Sequence, residues 1–168
     1  MGLEPIPAIV VMGVSGSGKS TIGALLARRL DRPFVDADDL HPVANKTKMA
    51  AGIPLDDDDR WPWLDVVGAR LAAAPTPVVA CSALRRVYRD RLRAEAPTTL
   101  FVHLAGHRSL VGRRVAHREH EYMPATLLAS QYAALEPLEP DERGFVVDIG
   151  ESPDRLVEEI VDRVGMAG

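Results

Sequence analysis

Five short apolar runs, at positions 8–12, 33–37, 77–81, 99–104 and 145–149, are spaced along the chain. Each is rich in Val, Ile, Leu or Phe and hardly alternates with polar residues, which predicts strands covered on both faces. Helical periodicity fills the intervals. Residues 19–30 place Ile22, Leu25, Leu26 and Leu30 on one side, and 84–96 turn Leu84, Val87, Tyr88 and Leu92 toward a core among many arginines. A third block spans 109–118 and 125–135. The last helix, 153–164, carries Leu156, Ile160 and Val164 at helical spacing. This alternation predicts an α/β three-layer fold, a five-stranded parallel sheet with helices on both faces.

Two segments break the rhythm. Residues 38–74 are too long for one crossover helix and hold a Pro/Gly/Asp-rich middle at 52–63. Residues 113–124 are dense in Arg and His. Long connections in compact domains usually carry function. The expected organisation is one domain, 1–168, with a core at 1–37, 75–111 and 135–168, a substrate-binding insertion at 38–74 and a lid at 112–134.

Composition narrows the partners. With 46% hydrophobic and 26% charged residues the chain reads as globular, and its formal net charge of −4 disfavours nucleic acid. An anionic ligand would need locally focused positive charge. Cys81 is the only cysteine, which excludes an intramolecular disulfide or a cysteine metal cluster. At the end of the third strand it reads as a buried, inert thiol. The apolar stretch 8–14 is too short to span a membrane and runs straight into a Gly-rich loop, so neither a membrane anchor nor a signal peptide is expected. The expected location is the cytoplasm.

That loop, Gly13-Val14-Ser15-Gly16-Ser17-Gly18-Lys19-Ser20, fits GxxxxGK[ST] between an apolar strand and a helix. Its glycines let backbone N–H groups turn inward around phosphates, and the following helix adds its N-terminal dipole. Lys19 is expected to reach the β/γ-phosphates of ATP, the Ser20 hydroxyl to ligate Mg²⁺, and Thr21 to complete the cradle. The motif does not separate a kinase from a GTPase or an ATP-driven motor.

Asp36 and Asp38 end the second strand, beside the first strand–helix loop, where ligands of open α/β sheets bind. In an extended chain they share a side, so both can face the cleft. One can hold a magnesium-bound water, and the other can accept a proton from a substrate hydroxyl. The alternative is that both merely cap the next helix. Asp39 points elsewhere. The run Asp56–Asp59 reads as a solvated turn and helix start rather than a metal site, because four adjacent carboxylates diverge and repel. Trp61 and Trp63 either wall a pocket or pack the core.

The stretch becomes more specific from there. Asp36-Ala37-Asp38-Asp39-Leu40-His41-Pro42, then Asn45, Lys46, Lys48-Met49, Gly52-Ile53-Pro54-Leu55, Asp57-Asp58-Asp59-Arg60 and Pro62-Trp63-Leu64, closely resembles the small gluconokinases. The likeness continues through Cys81-Ser82-Ala83-Leu84-Arg85-Arg86, Tyr88-Arg89-Asp90, Ser130-Gln131-Tyr132, Leu135-Glu136-Pro137-Leu138 and Asp141-Glu142. It implies a nucleoside-monophosphate-kinase-like P-loop fold and transfer of the γ-phosphoryl of ATP to the 6-hydroxyl of D-gluconate. It also implies Mg²⁺ and a homodimer. Shikimate kinases share the P-loop and the Asp-x-Asp pair but lack the His-Pro and Asp-Asp-Asp-Arg blocks. By this resemblance Asp36, Asp38, His41, Lys48, Arg60 and Ser82 line the acceptor pocket, with Arg60 on the carboxylate. His41 could instead bond nearby backbone, and Asn45 and Lys48 could be solvated helix residues.

Arginines closing over ATP would stabilise the transferred charge. Arg114 and Arg118, spaced i, i+4, are the implied lid pair; a solvated basic helix is the alternative. Here the chain departs from the family, with Glu121-Tyr122-Met123-Pro124 where His-Phe commonly precedes Met-Pro. The loop at Asp148 and Gly150 would lie beside the adenine. Two other readings stay open: a kinase of another small hydroxy or sugar acid, and a nucleotide-sensing module without chemistry.

Overall fold

The computed structural model describes residues 6–14, 16–106 and 125–167. Five strands form one parallel sheet: β1 (Ile9–Met12), β2 (Phe34–Asp36), β3 (Val78–Ala80), β4 (Leu100–Ala105) and β5 (Gly144–Asp148), in the order β2-β3-β1-β4-β5. The described helices are α1 (Lys19–Leu30), α2 (Val43–Ala50), α3 (Asp57–Ala72), α4 (Arg86–Glu95), α5 (Ala125–Ala134) and α6 (Pro153–Ala167), with a short 3₁₀ turn at Ala37–Leu40. The expected five-stranded parallel fold is present. The helix expected at 109–118, and the lid residues before Ala125, lie outside the described residues.

β1 is central and wholly buried, and its residues divide between two cores. Ile9 and Val11 meet Ile22, Leu26, Leu156, Ile160 and Val164 of α1 and α6. Val10 and Met12 face Trp63, Leu64, Val67 and Leu71 of α3 and Leu92 of α4. Burial on both faces explains why the run carries no period-2 signal. β5 runs Gly144–Asp148, one residue earlier than its apolar run. Gly144 pairs with Phe101, and a Cβ there would collide with the Phe101 carbonyl oxygen.

Helix α3 begins inside the Pro/Gly/Asp-rich middle of 38–74. Asp56 accepts from the Asp59 N–H at 2.8 Å, and Asp59 accepts from the Asp56 N–H at 3.1 Å. This reciprocal cap satisfies two end donors, and Asp57, Asp58 and Asp59 complement the helix dipole. The acidic run is thus a helix start, as its sequence suggests.

Helix α4 corrects the expected phase. It starts at Arg86 rather than 84, because Ala83 turns left-handed (φ 45°) and Arg85 is extended. Val87, expected in the core, is exposed, and Arg89 is fully buried instead. The buried guanidinium is satisfied on every side. It grips Glu142 through two bonds of 2.7 and 3.0 Å and donates to the carbonyls of Ala83, Leu84 and Pro137. Arg93 adds a bond to Glu142 at 2.9 Å. The pair therefore fastens α4 both to the turn after β3 and to the segment leading into β5.

Burial alone would push the Glu142 carboxyl up, but hydrogen bonds from Arg89, the Glu139 backbone and Arg93 bring it down to about 2. A folded value below the ordinary 4.5 means the stabilisation is whole above about pH 4.5 and is lost as pH falls toward about 2. Urea unfolding should find Glu142→Gln less stable at neutral pH by about 3–5 kcal/mol, since Arg89 keeps a buried charge without its counter-ion. The variant should also lose less further stability between about pH 4.5 and 2 than the parent does. Parallel acid limbs in the two proteins would refute the assignment.

Candidate active site

β1, β2 and β3 all end on one edge of the sheet, and the chain leaving each contributes to one site. After β1 the loop 13–18 turns into α1. Gly13 has φ 152°, and a Cβ on it would meet the Leu104 carbonyl and the Ser17 hydroxyl, each at 2.8 Å. Gly18 caps α1 in left-handed geometry, with φ 96°. Both positions therefore need glycine. Ser17 Oγ donates to the Val14 carbonyl at 2.7 Å, and Lys19 Nζ to the same oxygen at 3.1 Å. Gly16 is buried within the loop, while Ser20 and Thr21 are exposed at the start of α1. Ser15 lies outside the described residues.

After β2, Asp36 uses its two carboxylate oxygens differently. Oδ2 accepts from the Ser20 hydroxyl at 3.1 Å, and Oδ1 accepts from the Asp38 N–H at 3.0 Å, capping the 3₁₀ turn. The two sequence alternatives, site carboxylate and helix cap, thus hold for different oxygens of one residue. Asp38 lies in that turn and not on an extended chain, so the expected strand-like sharing of a face is corrected. The turn forms because Asp36 supplies an acceptor to the Asp38 N–H, the second of the turn. Asp38 and Asp39 are both exposed.

After β3, the Ser82 carbonyl accepts from the Gly13 N–H at 3.3 Å, tying this loop to the phosphate loop. Cys81 is buried just before it. Burial pushes the thiol up to about 12; a backbone hydrogen bond at Ala83 opposes this, and the charges of Asp38, Lys19 and Asp36 also act on it. The charges that act on this thiol come from the chain leaving β1 and β2, at the same edge of the sheet.

The insertion holds its candidates in two groups. His41 is buried and stacks on Trp63, with ring centroids 4.1 Å apart. Asn45 Nδ2 donates to the Asp59 carbonyl at 2.9 Å and lies 3.1 Å from His41 Nδ1. An amide nitrogen with two acceptors makes Nδ1 the acceptor and assigns the imidazole proton to Nε2. Burial, then the Lys46 and Arg60 charges, lowers the His41 pKa and favours that neutral ring. Trp63 Nε1 donates to the Ala37 carbonyl at 2.7 Å and so pins the carboxylate turn to α3. Lys48 is bound by both oxygens of Asp59, at 2.9 and 2.8 Å, and links α2 to α3.

Arg60 joins a second group that the sequence reading assigned no role. Its Nη1 lies 3.4 Å from Asp57 Oδ1 and 3.3 Å from the Tyr88 hydroxyl. Arg85 Nη1 donates to Asp57 Oδ2 at 3.1 Å, and Tyr88 donates to Asp57 Oδ1 at 2.6 Å. The Tyr88 hydroxyl bond, then the Arg85 and Arg60 charges, outweigh burial and hold the Asp57 carboxyl below its ordinary range. Arg85 and Tyr88 stand 25 or more positions from Arg60, so no local spacing signals the cluster. Arg114 and Arg118 lie outside the described residues.

The donor set at Ser20 and Asp36 is all oxygen, as a hard divalent cation requires. Among the described residues no three His, Cys, Asp or Glu side chains gather into a metal cage. Two protein oxygens fit an ion that keeps waters and substrate phosphates as its other ligands, as Mg²⁺ does.

Comparisons with known proteins identify the family and the fold. The shikimate kinase family profile matches residues 15–164. The gluconokinase of Gluconobacter oxydans is 43% identical, over 96% of this chain and 92% of its own. The thermosensitive gluconokinase of Escherichia coli is 42% identical, over 84% of this chain and 79% of its own. A solved gluconokinase from Sinorhizobium meliloti superposes with a TM-score of 0.89 at 44% identity, covering 98% of this chain and 94% of that one. The shikimate kinase of Aquifex aeolicus, at 17% identity and a TM-score of 0.58, shares the fold.

The raised thiol gives this edge a chemical probe. A thiol reagent at pH 8 should leave Cys81 essentially unmodified in the folded protein and label it fully in urea. Rapid labelling without denaturant would contradict its burial beneath the site.

Proposed function

The chain belongs to the gluconokinases, within the shikimate kinase family, and from that membership we infer that it is an enzyme transferring the γ-phosphoryl group of ATP to the 6-hydroxyl of D-gluconate. The observation that carries the mechanism is the 3.1 Å bond between Ser20 Oγ and Asp36 Oδ2. It brings the phosphate loop to the carboxylates that begin the insertion.

ATP rests on residues 13–21, where inward N–H groups and the α1 dipole favour its phosphates. Ser20, and Asp36 through water, would hold Mg²⁺, which when bound neutralises charge on the β- and γ-oxygens. Asp38 orients the 6-hydroxyl and takes its proton as the new oxygen–phosphorus bond forms and the bond to ADP breaks. Lys19 lies at the loop and stabilises the charge in transfer. The segment 38–74 binds the acceptor, with Arg60 on the carboxylate and His41, Lys48 and Ser82 among the residues near the sugar acid. Arg114 and Arg118 of a lid at 112–134 would close over the phosphates, a role supported by resemblance alone. The homodimer and cytoplasmic setting have the same support. No described helix is long and apolar enough to cross a membrane.

A coupled ADP-release assay with gluconate, other aldonates, shikimate and nucleoside monophosphates tests the substrate. Gluconate should be turned over far faster than the rest; robust turnover of another acceptor beside negligible turnover of gluconate would reject it. Asp38→Asn should lower kcat by roughly two to four orders of magnitude with ATP affinity nearly intact. A kcat equal to the parent's would remove Asp38 from the proton transfer.

A further inference from the structure

Resting on the gluconate reading, we propose that Arg85 is a second specificity-determining residue of the acceptor site, sharing the substrate carboxylate with Arg60. Four observations support it.

The two guanidiniums form one unit. Arg60 lies over the Tyr88 ring at 5.5 Å and Arg85 over the same ring at 5.4 Å. Both bond to the Asp57 carboxylate, each on a different oxygen. One aromatic ring and one carboxylate therefore hold two cations together, against their mutual repulsion. Such an arrangement suits an anion with two oxygens, because paired guanidiniums present N–H donors in fixed directions.

The unit retains donors. Among the described residues Arg60 uses only Nη1 in these bonds, and Arg85 uses Nη1 on Asp57, with Glu136 3.9 Å from its Nε. Arg85 also bonds the Tyr88 hydroxyl, whereas Nε and Nη2 of Arg60 have no bonded acceptor among the described residues. Both side chains are about one-third exposed, at 31% and 38%, so an acceptor can reach them.

Position fits the acceptor rather than the nucleotide. Trp63, three residues along α3 from Arg60, bonds the Ala37 carbonyl of the Asp36–Asp38 turn at 2.7 Å, and the Arg60 charge acts on His41 just after that turn. On the other side, Arg85 follows Ser82, whose carbonyl bonds the phosphate loop. The cluster thus sits on the helix that is pinned to the carboxylate turn, and its bonds go to α3 and α4 rather than to the loop that cradles phosphates. Gluconate carries its carboxylate and its 6-hydroxyl at opposite ends of the carbon chain, so an anchor set apart from Asp38 is what it needs.

Asp57 and Tyr88 act as positioning residues. Asp57 is fixed at the first turn of α3 and Tyr88 on the first turns of α4, so the pair sets one helix end against the other.

Steady-state kinetics of the parent, Arg85→Gln and Arg85→Lys, with gluconate and the uncharged polyol D-glucitol, test this. Arg85→Gln should raise the gluconate KM roughly 10- to 100-fold, the range for losing a hydrogen bond to a charged group. The KM for ATP and the thermal midpoint should stay at parental values, and Arg85→Lys should recover part of the loss. Any weak D-glucitol turnover should be unchanged, so discrimination for the acid falls by the same factor. An unchanged gluconate KM, or equal losses on gluconate and ATP, would overturn the proposal. Turnover of gluconate by the parent decides the substrate reading separately. If the parent prefers another carboxylate acceptor, the same ratio is read with that acid; a parent acting only on uncharged acceptors overturns the role of Arg85.

Discussion

The Asp36 carboxylate divides its two oxygens between two parts of the molecule. Oδ2 meets the Ser20 hydroxyl at the start of α1, and Oδ1 caps the turn that carries Asp38. Neither bond is strong alone, because the residue is partly exposed and such bonds contribute about 1 kcal/mol net. Their importance is geometric. A shift of Asp36 would displace the oxygen that meets Ser20 and the Asp38 turn together. The turn is held from behind by Trp63 Nε1 on the Ala37 carbonyl, and the loop after β3 is held by the Gly13–Ser82 bond. Three strand ends are thereby locked into one edge, and the reaction requires them to be locked together.

Further from the edge, the Arg89–Glu142 pair does for α4 what Asp36 does for the 3₁₀ turn. Its guanidinium holds the carbonyls of Ala83 and Leu84, where the backbone of Ala83 is left-handed. A non-glycine residue in that region costs on the order of 1 kcal/mol, and the buried bonds hold it there. This turn determines where α4 begins, and so where Arg85 and Tyr88 stand relative to α3. The Asp57–Arg60–Arg85–Tyr88 cluster is in this sense a consequence of a buried ion pair elsewhere.

The sheet and its order of elements were legible because β1, β3 and β4 are buried on both faces and carry unbroken apolar runs. The phosphate loop was legible because its glycines are demanded by backbone geometry, as the 2.8 Å approach at Gly13 shows. The phase of α4 was not. A pattern reading places arginine on the surface, and Arg89 is inside only because Glu142, 53 residues away, meets it. The geometry of Asp36 and Asp38 was half legible: their place at a strand end was readable, but the turn between them depends on a side-chain bond. The Asp57–Arg60–Arg85–Tyr88 cluster was invisible, since its members are joined only by the packing of α3 on α4.

In the proposed complex one sheet edge holds nucleotide and sugar acid so that the 6-hydroxyl meets Asp38 while the carboxylate is anchored on the α3–α4 arginines. A crystal structure with gluconate, Mg²⁺ and a non-hydrolysable ATP analogue measures this directly. The expected electron density puts the 6-hydroxyl within hydrogen-bond distance of the Asp38 carboxylate and the gluconate carboxylate on Arg60 and Arg85. Gluconate bound in the reverse direction, or with its carboxylate remote from both arginines, would contradict it.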